Sequence, residues 1–218
     1  MTVPDIRVAS PADAAAMVAK HGFAAWRGLL DPDLVHSVME RVIANQNAID
    51  AYASPKHGTM RPGVMASDLR QRLLTPNTAS TFGLMLGGSE FTISDDESPI
   101  FVSYKGAKPT VWHQDKCVNV KPSALVWIAL TSCGVTSPSM LLALRGMTEP
   151  HPMFLKDEVS RAAEKDHAMS LTGWTVVKLE FTPGDAVFFN SYSIHKTYVS
   201  REMTETRVSV KQTAVPNA

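Results

Sequence analysis

From residue 98 onward the chain divides into short strand-like segments that never alternate with helical ones. They cover 98–105, 109–119, 123–130, 138–144, 174–181, 185–190, 194–199 and 206–214, and are rich in β-branched, aromatic and other apolar residues. A parallel sheet would need a helical crossover between successive strands, and none is present to supply it. The expected fold is therefore mainly β with N-terminal helices: a double-stranded β-helix, the cupin-like antiparallel jelly roll. One interruption, Leu155 to Asp166, is charged and helix-compatible, and reads as a surface excursion at the barrel mouth.

Helices are expected ahead of the strands. Pro11 to Lys20 is alanine-rich, and Asp31 followed by Pro32 forms an N-cap with proline at the first helical position. Leu34, Val35, Val38, Met39, Val42 and Ile43 then recur at helical spacing to about Asn47. A Gly/Pro-punctuated stretch, Ser54–Gly63, precedes a further expected helix from Met65 to Leu74. Residues 1–218 are read as one domain, mostly helical over 1–95 with the jelly-roll core over 96–214.

Within that core, His113-Gln114-Asp115 places a histidine and a carboxylate on one face of an extended strand. Chance alone supplies about 0.7 such His-x-Asp/Glu matches in a chain of this composition, so the triplet needs its context. That context is a strand on either side and a second histidine, His195, after the turn-strand unit Pro183-Gly184-Asp185-Ala186-Val187-Phe188-Phe189-Asn190. Together His113, Asp115 and His195 would form a facial triad, which leaves positions open on Fe(II) for a co-substrate and O2. In Thr206-Arg207-Val208-Ser209-Val210-Lys211, alternation puts Arg207 and Ser209 on one face. Arg207 is a rigid cationic fork suited to a dicarboxylate. Hairpin pairing of this strand with the His195 strand would set the two faces side by side.

Trp112-His113-Gln114-Asp115, the Pro183–Phe189 segment, Ile194-His195 and Arg207-Val208-Ser209 resemble the phytanoyl-CoA dioxygenase family of Fe(II)/2-oxoglutarate oxygenases. The likeness extends to Ser139–Gly146 and to the opening His21-Gly22-Phe23 through Asp31-Pro32, so it spans most of the chain. It implies that Fe(II) is held by His113, Asp115 and His195, and that 2-oxoglutarate is held by Arg207 with Ser209 or Thr197. It also implies co-substrate contact from Trp127; Tyr104 and Lys105, on the strand leading into the triplet, are placed to reach the co-substrate as a weaker expectation. The family's Pro-Gly-Ser-His stretch is replaced here by Arg145-Gly146-Met147-Thr148, and the chain is short, which implies a trimmed substrate lid. Relatives that halogenate carry a small residue where Asp115 stands, so halogenation is not expected.

Composition is consistent with this reading. Formal charge is zero, hydrophobic content 44% and charged content 19%, with no basic stripe, so nucleic acid is not an expected partner. No apolar run reaches membrane-spanning length and Met1–Arg7 lacks an apolar leader core, so no membrane partner and a cytoplasmic location are expected. Cys117 and Cys133 make no disulfide framework, and Cys117 should face the barrel interior as a small hydrophobe. His21, His36, His57, His151 and His167 read as surface or structural histidines, with His57 the one nearest a substrate role. Ser54–Gly63 and Leu155–Asp166 are expected to move when substrate binds, and Tyr192 to line the mouth.

The expected activity is dioxygenation, with hydroxylation the default, of a small metabolite or natural-product intermediate by a monomer or homodimer. Two rivals remain: a non-catalytic metal-binding jelly roll, and a cupin isomerase independent of 2-oxoglutarate. Neither requires Arg207.

Overall fold

The computed structural model describes residues 5–44, 67–94, 99–103, 109–115, 122–149 and 173–217. Its N-terminal part contains β1 (Arg7–Val8), α1 (Pro11–His21), β2 (Phe23–Trp26), α2 (Pro32–Ala44), α3 (Ser67–Leu73), α4 (Pro76–Met85) and β3 (Phe91–Ile93). The core strands are β4 (Ile100–Ser103), β5 (Ala124–Ala129), β6 (Ser139–Leu144), β7 (Thr175–Lys178), β8 (Ala186–Asn190), β9 (His195–Tyr198) and β10 (Arg207–Pro216).

Two sheets face each other. The larger has seven strands in the order β1-β2-β8-β5-β10-β3, with β4 also paired to β10; the smaller has the order β7-β6-β9. All pairs are antiparallel except β1 with β2. A bridge between His113 and His195 adds the triplet segment to the outer edge of β9.

Strand alternation sorts the large sheet's side chains into two cores. Ala124, Val126 and Ile128 of β5, Ala186 and Phe188 of β8, and Val208 and Val210 of β10 pack against α1, α2 and α4 through Val18, Val38 and Phe82. Leu125 and Trp127 of β5 and Val187 and Phe189 of β8 point the other way, meeting Met140, Leu142 and Phe181 between the sheets. The interior of the barrel is thus walled by one core and braced from behind by another.

The helices start where local chemistry starts them. Ser10 accepts from the Asp13 N–H at 3.1 Å and Thr75 from the Thr78 N–H at 3.2 Å, each with a proline immediately following. Asp31 accepts from the Leu34 N–H at 2.8 Å, as its position before Pro32 predicts.

The Pro183-Gly184-Asp185 turn locks β8 in place. Gly184 has φ +91, and a Cβ there would sit 2.5 Å from the Leu30 carbonyl oxygen. Buried Asp185 accepts from Arg27 Nη1 (2.6 Å), the Gly28 N–H (2.8 Å), and the Thr182 N–H (2.8 Å) and hydroxyl (3.0 Å). Burial raises its pKa, but these donors more than reverse that and hold the carboxylate below its usual value.

The structure corrects several expectations. The hairpin joining the His195 strand to the Arg207 strand does not form: β9 pairs with β6 in the small sheet, and β10 with β3, β4 and β5 in the large one. Strands β1, β2 and β3 and helix α4 were not expected. The segment expected as a strand from 109 to 119 has a single bridge among its described residues. Tyr104, Lys105, Cys117, His57, His151, His167 and the loops 54–63 and 155–166 lie outside the described residues.

Candidate metal centre and co-substrate pocket

The triplet reaches its position through backbone pairing and one buried side chain. His113 and His195 exchange both backbone hydrogen bonds at 3.0 Å, which sets their side chains abreast with ring centroids 4.3 Å apart. Gln114, between the two candidate ligands, turns away and donates from its amide to the Tyr192 carbonyl. Just beyond that carbonyl, Ser193 is fully buried, donates to the Gly22 carbonyl at 2.6 Å and closes the turn that leads into His195. On the outer face, Lys196 lies 5.0 Å over the Trp112 ring.

Each histidine is oriented by its own chain. His113 Nδ1 lies 2.9 Å from the Val111 carbonyl and His195 Nδ1 3.1 Å from the Ser193 carbonyl. A carbonyl only accepts, so each Nδ1 carries a proton, which leaves Nε2 as the nitrogen that can face a metal. Both Nε2 atoms approach Asp115 Oδ1, at 3.8 Å and 3.9 Å. One ligand atom from each of the three residues lies within 4.8 Å of the other two. Three lone-pair donors facing a common point, with outward nitrogens fixed by carbonyls, form a donor set that fits a divalent transition metal.

Electrostatics favour the ligating forms. Burial lowers the His195 pKa to about 4, aided by His113, so the ring is neutral at physiological pH. Burial alone would raise the Asp115 pKa, but Lys211, His195 and His113 together hold it far below the usual carboxylate range. Lys211 donates to Asp115 Oδ2 at 2.9 Å. The sequence alone gives Lys211 no role, although it continues the Arg207–Ser209 alternation of β10.

Arg207 enters the same barrel from the opposite sheet. It is 3% exposed, with Nη1 donating to the Ser139 carbonyl at 3.0 Å, Nη2 to the Ser103 hydroxyl at 2.8 Å, and the guanidinium 5.3 Å over the Trp127 ring. Among the described residues its Nε is buried without a partner, as is the Ser209 hydroxyl two residues along. No carboxylate neutralises Arg207 among the described residues; desolvation pulls its pKa down to about 10. A buried, unneutralised cation beside orphaned polar atoms is costly for the protein alone and fits an incoming carboxylate. Thr197 is half-buried on β9, and its N–H donates to the Thr110 hydroxyl at 2.6 Å. Trp127 belongs to the interior core.

Comparison with solved structures follows the same architecture. The non-heme α-ketoglutarate-dependent epimerase SnoN from nogalamycin biosynthesis aligns at TM-score 0.71 and 17% identity, covering 94% of this chain and 83% of that one. The α-ketoglutarate-dependent carbocyclase SnoK from the same biosynthesis aligns at 0.72 and 16%, again over 94% and 83%. EctD from S. alaskensis, solved with 2-oxoglutarate and 5-hydroxyectoine, aligns at 0.67 and 14%, over 95% and 77%. The fold is a double-stranded β-helix. Within it, the triplet and β9 lie together along one edge of the small sheet, and Arg207 opens the last strand of the large one. No family model and no curated protein sequence matches the chain, so the finer likeness to phytanoyl-CoA dioxygenases rests on its motifs alone.

Proposed function

We propose that this protein is a non-haem Fe(II)/2-oxoglutarate-dependent dioxygenase of the phytanoyl-CoA dioxygenase-like type. We read it as a single domain, cytoplasmic, acting on a small metabolite or natural-product intermediate. One observation carries the reading: a His-Asp-His cluster shares its barrel with a buried arginine that has an unused donor and, among the described residues, no counter-charge. A metal-binding scaffold or a cupin isomerase needs the first feature but has no use for the second.

In this reading His113 Nε2, His195 Nε2 and Asp115 Oδ1 hold Fe(II). Arg207 takes the far carboxylate of 2-oxoglutarate through its free Nε edge, and the Ser209 hydroxyl donates the hydrogen bond it otherwise lacks. Thr197 and Trp127 flank the co-substrate. When bound, iron and 2-oxoglutarate supply the oxidising power, coupling O2 reduction to decarboxylation that yields succinate and CO2. The chain aims both imidazoles and keeps that of His195 neutral, fixes the co-substrate's length against Arg207, and surrounds the reacting end with the apolar walls of Phe189 and Leu142. Hydroxylation is the simplest outcome. The epimerase and carbocyclase among the structural neighbours indicate that this fold also hosts other outcomes.

Anaerobic titration of the Fe(II)-loaded protein with 2-oxoglutarate tests the reading. One equivalent should bind saturably, and more weakly once the metal is removed. Protein that binds neither Fe(II) nor 2-oxoglutarate would overturn it.

A further inference from the structure

β10 carries a second cation into the barrel. Lys211 follows Arg207 by four residues and leaves the same face of the strand. Its side chain is 13% exposed, and its ammonium meets Asp115 Oδ2 at 2.9 Å. The two oxygens of Asp115 therefore have different neighbours: Oδ1 faces both histidine Nε2 atoms, and Oδ2 faces Lys211. We infer that Lys211 is a positioning residue that confines Asp115 to one-oxygen ligation of the metal. The inference rests on the proposed ligand role of His113, Asp115 and His195.

The physical case has two parts. Carboxylates ligate metals through one oxygen or two, and the second mode takes up another coordination position. Swinging Oδ2 onto the metal would break a charge-assisted hydrogen bond and leave an ammonium unpaired in a largely buried place. The ammonium also repels a divalent cation held next to it, so the chain gives up metal affinity to keep positions open. Removing Lys211 acts in the same direction on both counts. It relieves the repulsion and frees a second oxygen, so the metal should bind more tightly and carry fewer waters.

Mn(II) is a suitable probe, because free and bound ion are separable by electron paramagnetic resonance and bound water by proton relaxation. Lys211→Met keeps the length of the stem without the charge. It should bind Mn(II) about tenfold or more tightly than the parent protein, on the scale of one nearby charge in a partly buried site. It should also lose relaxation enhancement, and its Mn(II) form should bind 2-oxoglutarate less well. Lys211→Gln is neutral and, though one bond shorter, keeps a donor facing Oδ2, so it should gain affinity and keep more relaxation enhancement than Lys211→Met. That contrast separates charge from restraint, and the Gln affinity remains a test if the Met variant does not fold. Unchanged or weaker Mn(II) binding in either variant, or full relaxation enhancement in Lys211→Met, overturns the inference. Failure of the parent protein to bind Mn(II) at all overturns the metal reading itself, and this inference with it.

Discussion

Replacing Arg207 with methionine separates what the residue costs the fold from what it gives the proposed co-substrate. The side chain is 3% exposed, so truncation to alanine would leave a hole, whereas methionine fills most of the volume without charge. Burial lowers the Arg207 pKa from its ordinary value to about 10, which corresponds to about 3 kcal/mol against holding the charge there. Two hydrogen bonds, to the Ser139 carbonyl and Ser103 hydroxyl, offset this at about 1–3 kcal/mol each for a charged donor. The terms nearly cancel, so Arg207→Met should melt within a few degrees of the parent protein. Binding should respond very differently. Losing one partner of a buried charged pair costs about 3–5 kcal/mol, roughly a hundredfold or more in 2-oxoglutarate affinity. Isothermal calorimetry with 2-oxoglutarate reads this loss directly. 2-Oxobutyrate lacks the far carboxylate and completes a double-mutant cycle: the parent protein should strongly prefer 2-oxoglutarate, and Arg207→Met should not. A variant that kept the parent's preference would show that another cation holds the carboxylate.

Other expected outcomes follow from single groups. Ser209→Ala removes a buried hydroxyl with no partner, so thermal stability should hold while 2-oxoglutarate affinity falls about tenfold, measured by calorimetry. His113→Ala and His195→Ala should each abolish stoichiometric Co(II) binding with little loss of secondary structure by circular dichroism. Lysine at position 207 keeps the charge but loses the fork, so Arg207→Lys should weaken 2-oxoglutarate binding while leaving Co(II) affinity unchanged. Asp185 has a lowered pKa, so the stability it contributes is present above its unfolded value of about 3.8 and lost as pH falls through the folded value. Urea melts of Asp185→Asn should therefore fall well short of the parent at pH 7, with the gap narrowing only as pH falls below 3.8 towards the folded value.

The sequence was most legible where alternation and apolar content agreed. The segment read over 123–130 forms β5 over Ala124–Ala129, and 185–190 forms β8 over Ala186–Asn190. β2 was invisible because all four of its residues are buried and two are alanines, so no period emerges. α4 had its start signal in Thr75-Pro76, but Asn77, Thr78, Ser80, Thr81 and Gly83 dilute its apolar face. The hairpin error has a topological cause. From β7 to β10 the chain passes from one sheet to the other at every step, so β9 and β10 are neighbours in sequence and belong to opposite walls. The residues of the candidate centre were nonetheless recoverable from short-range rules, because His113 and Asp115 sit two apart on extended backbone. Lys211 was not. A lysine in an alternating strand looks like an outward residue until the partner it faces is known.

The ten residues of β10 act as a graduated scale. Arg207 and Lys211 are four steps apart on one strand, about 13 Å along the backbone. Hydrogen bonds to β5 on one edge and β4 on the other prevent the strand from sliding. A slip of one residue would turn both cations towards the helices. A slip of two would move both by the same amount and leave their spacing unchanged. Loop insertions can therefore reshape the mouth of the barrel freely while the interval between the two charges stays constant. If Arg207 takes the far carboxylate as proposed, the strand itself sets the length of dicarboxylate the barrel accepts, whatever its rim becomes.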